Sequence, residues 1–150
     1  MFGLMIAVIL FNLVAFKTNK TLTAKQIAHI FVFTISLQLS FDLYVDMKYL
    51  GYWYFSKEID WAALPAHSIL LPPVNMMFLN WYPFDRTRWV RTLFVFFWTI
   101  ALLLYEVIAL LPAPWGYFHY GWWSLGHSAF LDPILLFILL LYYKHFIKED

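Results

Sequence analysis

Five apolar stretches separated by short polar or aromatic connections make up most of the chain. They run over about 2–16, 24–50, 61–82, 92–111 and 122–147. The last four hold the roughly 20 apolar residues that a helix needs to cross a hydrocarbon core of ~30 Å. The first is shorter and reaches only ~23 Å as a helix. Thr23 stands where an N-cap would open the second stretch, and Asp60 where one would open the third. Pro65, Pro72 and Pro73 interrupt that third stretch. Without N–H groups at Pro72 and Pro73, the carbonyls of Ser68 and Ile69 lose their helical donors. A broken helix of this kind survives in lipid only where neighbours re-satisfy the backbone, which predicts a kinked, interior third span. In the last stretch Asp132-Pro133 reads as an N-cap followed by Pro at N1. A helix beginning there would be only ~22 Å long. The preferred reading starts at Trp122, kinks at Pro133 and brings Asp132 to mid-depth. No internal repeat is visible.

The pattern predicts an all-α multi-pass transmembrane bundle of five spans, and charge gives it a direction. Lys17, Lys20 and Lys25 follow the first stretch, Arg86, Arg88 and Arg91 the third, and Lys144 and Lys148 the last. The other two connections hold only Lys48 and Lys57. By the positive-inside rule the N-terminus lies outside and the C-terminus inside. Phe2 to Phe16 lacks a basic leader and a small-residue cleavage site, so an uncleaved anchor is expected. Hydrophobic residues are 63% of the chain and charged ones 13%, too apolar for a soluble fold of 150 residues. A net charge of +1 leaves a nucleic-acid partner without an electrostatic footprint. The absence of Cys removes disulfides, thiolate metal sites and thiol nucleophiles. Tyr and Trp crowd the span ends and read as interfacial belts.

The remaining chemistry lies in polar groups inside apolar spans. Gln38, Asp42, Asp46 and Tyr49 fall at helical spacing on one stripe. Counted from the inside ends, Asp42 lies ~25 Å along its span and Glu106 ~21 Å along the fourth. Counted from the outside, His67 lies ~9 Å down and His127 ~8 Å down. The four therefore share a depth in the outer leaflet, with Asp46 nearer the surface. An ionised Asp costs about 2.5–3.5 kcal/mol at a span centre, and no Lys or Arg lies at that depth. The carboxyls are then protonated, hydrogen-bonded across helices, or holding a cation. Interhelical hydrogen bonding is the leading expectation for Asp42 and Glu106, with a proton or ion path and a metal site as alternatives. Asp46 is expected to be a solvated interfacial carboxylate. His67 and His127 are expected to be satisfied histidines rather than ligands. Asn75 and Asn80 are expected to glue helices and satisfy the backbone near Pro72 and Pro73. No hydrolase, kinase or phosphate-binding motif is present, and no metal ligand set is assigned.

The stretches FDLYVDMKYLGYWYFSKEIDW (41–61), PPVNMMFLNWYPF (72–84), YEVIAL (105–110) and YFHYGWWSLGHSAFLDPIL (117–135) resemble a family of small multi-pass membrane proteins of spore-forming Gram-positive bacteria. The resemblance covers roughly residues 40–147, and it is carried by the order of these elements. It implies a helical membrane fold and a bacterial plasma membrane, and no reaction. Its motif positions here are Asp42, Asp46, Asn80, Pro83, Glu106, Trp122 and Ser128. Position 127 carries His where the family pattern has an aromatic residue, which weakens a four-ligand metal site.

Three functional readings remain. The first is a structural or accessory membrane subunit whose polar cluster fixes helix packing, with the lipid bilayer, membrane-protein partners or a second copy around it. The second is a small proton- or cation-coupled carrier using Asp42 and Glu106. The third is a membrane enzyme with carboxylate/His acid-base or metal chemistry. No cofactor is assigned. Carboxyls of Asp42 and Glu106 within ~5 Å of each other would favour shared-charge chemistry, because such groups perturb one another. Separate caps from Tyr, Trp or backbone donors would favour architecture.

Overall fold

A computed structural model describes residues 1–148. Five α-helices form the body: α1 (Phe2–Thr18), α2 (Ala24–Asp42), α3 (Leu71–Trp81), α4 (Arg88–Ala109) and α5 (Leu125–Tyr142). Wider π-helical turns extend α2 over Leu43–Lys48 and α5 over Tyr143–Ile147, and another, Ala66–Leu70, leads into α3. With these extensions, four helices are long and apolar enough to cross a membrane, and α1 is shorter.

Local chemistry explains the boundaries. Thr23 and Gln26 exchange side-chain and backbone hydrogen bonds in a capping box that opens α2. Asp60 accepts from the Ala62 amide and starts the third segment at Trp61. Thr87 caps α4, so that helix begins one turn before the expected Thr92 and carries Arg88 and Arg91 on its first turn. Ser124 and His127 cap α5 at Leu125, between the two starts weighed from sequence, and the helix runs on through Pro133. Pro72 and Pro73 occupy the first turn of α3, where missing N–H groups are tolerated.

The third segment is the interior one. Its apolar window is 61% buried, against 11–22% for the other three long helices. Both α1 and α2 pack on α3, and α4 packs on α5. At one end Asn80 accepts hydrogen bonds from the Lys20 and Thr21 amides, and Gln26 Nε2 reaches the Ile147 carbonyl. Phe84 stacks on Tyr143 there. Eight of the ten basic residues therefore cluster at this basic end, and Lys48 and Lys57 lie at the other. α1 runs the length of the bundle, because its Gly3 amide bonds the Pro114 carbonyl at the far end while its Thr18 carbonyl accepts from Asn80. A Cβ on Gly3 would lie 1.8 Å from the Trp115 carbonyl oxygen, so only glycine permits that approach.

The all-α expectation needs one correction. The two connections expected as aromatic belts pair as strands at the end opposite the basic one. β1 (Tyr52–Tyr54) runs antiparallel to β2 (Phe118–Tyr120), with Tyr52 opposite Tyr120 and Trp53 opposite His119. Period-2 alternation turns Tyr52, Tyr54, Phe118 and Tyr120 to one face of the sheet and Trp53 and His119 to the other. Tyr52 is 5% exposed and Phe118 9%, so the first face is a lid over the helices rather than a headgroup belt.

Candidate functional site

Asp42 is the most completely buried ionisable group, at 0% exposure. Three elements converge on it. Gln38 Nε2, one turn earlier on α2, donates to Oδ2 at 2.7 Å. His67 Nδ1, from the π-turn before α3, lies 2.7 Å from the same oxygen. The Tyr52 hydroxyl of β1 bonds Oδ1. Burial, then the neighbouring Tyr54 and Asp42, raises the Tyr52 phenol far above its usual range, so it stays protonated and donates.

Glu106 sits on α4 within a separate network. The Tyr120 hydroxyl of β2 bonds Oε1, and Ser128 Oγ of α5 donates to that oxygen at 2.8 Å. Trp123 Nε1 in turn donates to Ser128 Oγ at 2.9 Å. Burial first, then the Glu106 carboxylate, raises the Tyr120 phenol and keeps it a donor as well. Tyr52 and Tyr120 are opposite residues on adjacent strands, so one cross-strand pair caps both carboxylates. Asp42 and Glu106 thus have separate hydrogen-bond partners, each with a tyrosine of its own. Among the described residues no Lys or Arg forms an ion pair with either; the His67 ring is the partner of Asp42.

Beneath the sheet lies a cavity of about 180 Å³ lined by Glu106, Asp132, Gln38, Ser128 and several aromatic rings. Asp132 is half-buried one turn below Ser128 on α5, which puts both on the face toward Glu106. A smaller space of about 100 Å³ shares Gln38 and Asp132 with it and reaches Thr34 and Asn75. On the other side of the Asp42–His67 pair, a vestibule of about 450 Å³ is lined by Asp46, His67, Tyr54 and residues of the 56–61 loop.

Several expectations change. Asp46 lies further in than an interfacial carboxylate would: it is 7% exposed, sits in the π-turn over Leu43–Lys48 and borders the vestibule under the 56–61 loop. Tyr49, expected on the same stripe, is 57% exposed where the turn ends. His127 does not join the other three groups. With α5 starting at Leu125 it falls in the first turn, exposed, its Nδ1 accepting from the Ser124 amide at 3.1 Å. The residue that faces Glu106 is Ser128. Asn75 donates to Thr34 Oγ1, linking α3 to α2. Asn80 clamps the α1–α2 turn, and neither residue serves the proline break. That task falls to Asn12 of α1, whose Nδ2 donates to the Ile69 carbonyl at 3.1 Å. Trp122 Nε1 bonds the Tyr49 carbonyl and pins the approach to α5 onto the end of α2. Among the described residues no three His, Asp or Glu are grouped to hold a metal ion, so the depth-matched metal site is not formed.

Tyr52, Tyr120, Asn12 and Trp123 were not singled out from the sequence. The signal for the tyrosines is the alternation in YWY (52–54) and FHY (118–120), a strand pattern hidden by its uniform aromatic content. Asn12 is the one amide side chain within the apolar stretch of α1, and it meets the segment whose backbone Pro72 and Pro73 interrupt. No family model, curated protein or solved structure matches this chain. The functional reading therefore rests on the geometry of the site.

Proposed function

We propose an integral membrane protein that crosses the bilayer five times, with the N-terminus and the sheet outside and the basic end inside, and that serves as a structural or accessory membrane subunit. On the sequence resemblance the membrane is a bacterial plasma membrane. Clustering of eight basic residues at one end supports this orientation. The length of α1, reaching from Pro114 to Asn80, supports a fifth crossing. The observation that carries the structural reading is the Tyr52–Tyr120 pair, which uses one hydroxyl on each of the two carboxylates. Asp42 then fastens α2, β1 and the third segment together, and Glu106 fastens α4, β2 and α5. The outward face of α4, including Phe96, Phe97, Leu104 and Ile108, is exposed and apolar, and lipid or helices of a membrane partner cover it.

Two measurements test this. Single cysteines at Lys20 and Lys57, labelled from one side of intact cells, should react from opposite sides; reaction from the same side sinks the topology. Thermal unfolding in detergent should show Asp42→Asn and Glu106→Gln folded and only mildly destabilised, since an amide keeps hydrogen-bonding capacity. Loss of the fold in both would mean that charge, not hydrogen bonding, is required.

A second reading, a proton- or cation-coupled carrier, is favoured by one observation. Glu106 and Asp132 line a common cavity that continues toward Asn75 and Thr34 along the bundle. Under that reading Glu106→Gln abolishes proton or cation flux into liposomes while stability is retained. Absence of flux in the unaltered protein would remove it.

A further inference from the structure

The vestibule beside the Asp42–His67 pair holds a group that the structural reading does not use. Asp46 is 93% buried by its 7% exposure, it lines the vestibule, and no side-chain hydrogen bond reaches its carboxylate among the described residues. Its oxygens are not among the sealed polar atoms left without a partner, so they open to the vestibule and are available to a ligand. The lysine in the lining is Lys57, but its Nζ lies 4.8 Å over the Trp53 ring and pairs with no carboxylate among the described residues. Glu58 and Asp60 also line the space, so its charged lining is net negative.

His67 supplies the complementary atom. Its Nδ1 faces the Asp42 carboxylate, which also takes donors from Gln38 and Tyr52. With Nδ1–H on the Asp42 carboxylate, Nε2 is the free ring nitrogen, and it accepts in the neutral tautomer. The ring lines the same vestibule and is 8% exposed. Tyr54 stands edge-on to it at 4.8 Å and forms part of the wall. The site thus offers two acceptors, one of them charged, an aromatic wall, and an open volume of about 450 Å³, within the range of small-molecule sites.

We propose that this vestibule binds a primary ammonium group, donating one N–H to the Asp46 carboxylate and one to His67 Nε2. The demand for N–H donors selects a primary amine over a quaternary ammonium, which has charge but nothing to donate. Among the described residues no three His, Asp or Glu are grouped to hold a metal ion there. Two sources carry this chemistry: a free amine from the water, or the ethanolamine headgroup of a membrane lipid.

The test uses the full chain in phosphatidylcholine nanodiscs, titrated calorimetrically with ethanolamine and with choline. Saturable ethanolamine binding is expected, with choline at least tenfold weaker. Asp46→Asn should weaken ethanolamine at least tenfold while the thermal midpoint of the free protein holds. Adding phosphatidylethanolamine to the nanodiscs identifies the source: loss of ethanolamine binding assigns the site to the lipid headgroup, and unchanged binding assigns it to the free amine. Equal binding of choline and ethanolamine, or no saturable binding of ethanolamine in phosphatidylcholine nanodiscs, overturns the proposal. The amine contrast is read on the unaltered protein, so it stands even where Asp46→Asn fails to fold.

Discussion

Tyr52→Phe removes one oxygen from the structure and should cost more than Tyr120→Phe, although the two residues are a symmetric pair on the sheet. The rings are unaffected in either variant. Tyr52 keeps its contacts with Phe118 at 5.0 Å and Trp123 at 5.7 Å between centroids. What differs is the carboxylate left behind. Asp42 is 0% exposed, and its two other partners both sit on Oδ2, so loss of the Tyr52 hydroxyl leaves Oδ1 bare with no water to replace it. A hydrogen bond to a charged group contributes about 1.5–3 kcal/mol, and full burial places Tyr52→Phe in the upper half of that range. Glu106 keeps Ser128 on the oxygen that Tyr120 bonds, and it borders a cavity that water can enter. Tyr120→Phe should therefore cost only about 1 kcal/mol. Equilibrium unfolding in mixed micelles, followed by circular dichroism, measures both. The double variant should depart from additivity by at least ~0.5 kcal/mol, since one sheet carries both bonds. A cost below ~0.5 kcal/mol for Tyr52→Phe, or a larger cost for Tyr120→Phe, would refute the role given to the Tyr52–Asp42 bond.

Two other perturbations probe the same logic elsewhere. Asn12→Ala strips the Ile69 carbonyl of its replacement donor and should destabilise by about 1–2 kcal/mol in the same unfolding assay; no loss would mean that the proline break is satisfied some other way. Burial raises the phenols of Tyr52, Tyr54, Tyr117 and Tyr120, so an alkaline absorbance titration of the folded protein should leave part of its ten tyrosines un-ionised well above pH 10. The unfolded chain releases those protons near pH 10 and the folded one does not. Stability from this source is complete below pH 10 and falls as pH rises, by up to ~1.4 kcal/mol per tyrosine per pH unit. Ten tyrosines titrating together near pH 10 with helicity intact would contradict it.

Much of the architecture was legible in the sequence because it rests on local signals. Apolar length marks the helices, Thr23 and Asp60 cap where their side chains suggest, and Pro72-Pro73 marks the irregular interior segment. What was not legible depends on two segments far apart in sequence. β1 and β2 are separated by two helices, and each is a three-residue aromatic run whose alternation is invisible to a hydrophobicity count. Without the sheet, Asp42 and Glu106 look like neighbours at one depth; with it, each has a tyrosine of its own. Depth counting also assumed a uniform helical rise. A start at Leu125 moved His127 to the helix end, and the π-turn after Asp42 carried Asp46 inward, so one expected ligand left the cluster and one expected surface group entered the interior.

Irregular backbone and polar side chains gather at the same end, and each explains the other. The sheet end holds two of the three π-turns, the Trp61–Ala63 3-10 turn, and two non-glycine residues with left-handed backbone, Leu50 at φ 49° and Phe55 at φ 57°. Left-handed backbone costs an L-residue about 1–2 kcal/mol, so the ends of β1 are held against their own preference. The restoring contacts are visible. Gly51 N bonds the Val45 carbonyl, Phe55 N bonds the Tyr117 carbonyl, and Tyr52 between them bonds Asp42. Asp42 therefore does more than satisfy donors: together with the pairing of β1 to β2 and these backbone bonds, it helps offset the conformational cost of a strand set between two strained residues. A lid of three-residue strands is far too short to stand alone. It persists because carboxylates that are expensive in an apolar bundle need donors, and the lid is where those donors are. Asp46, beside this lid, has no such donor, and its carboxylate opens to the vestibule instead.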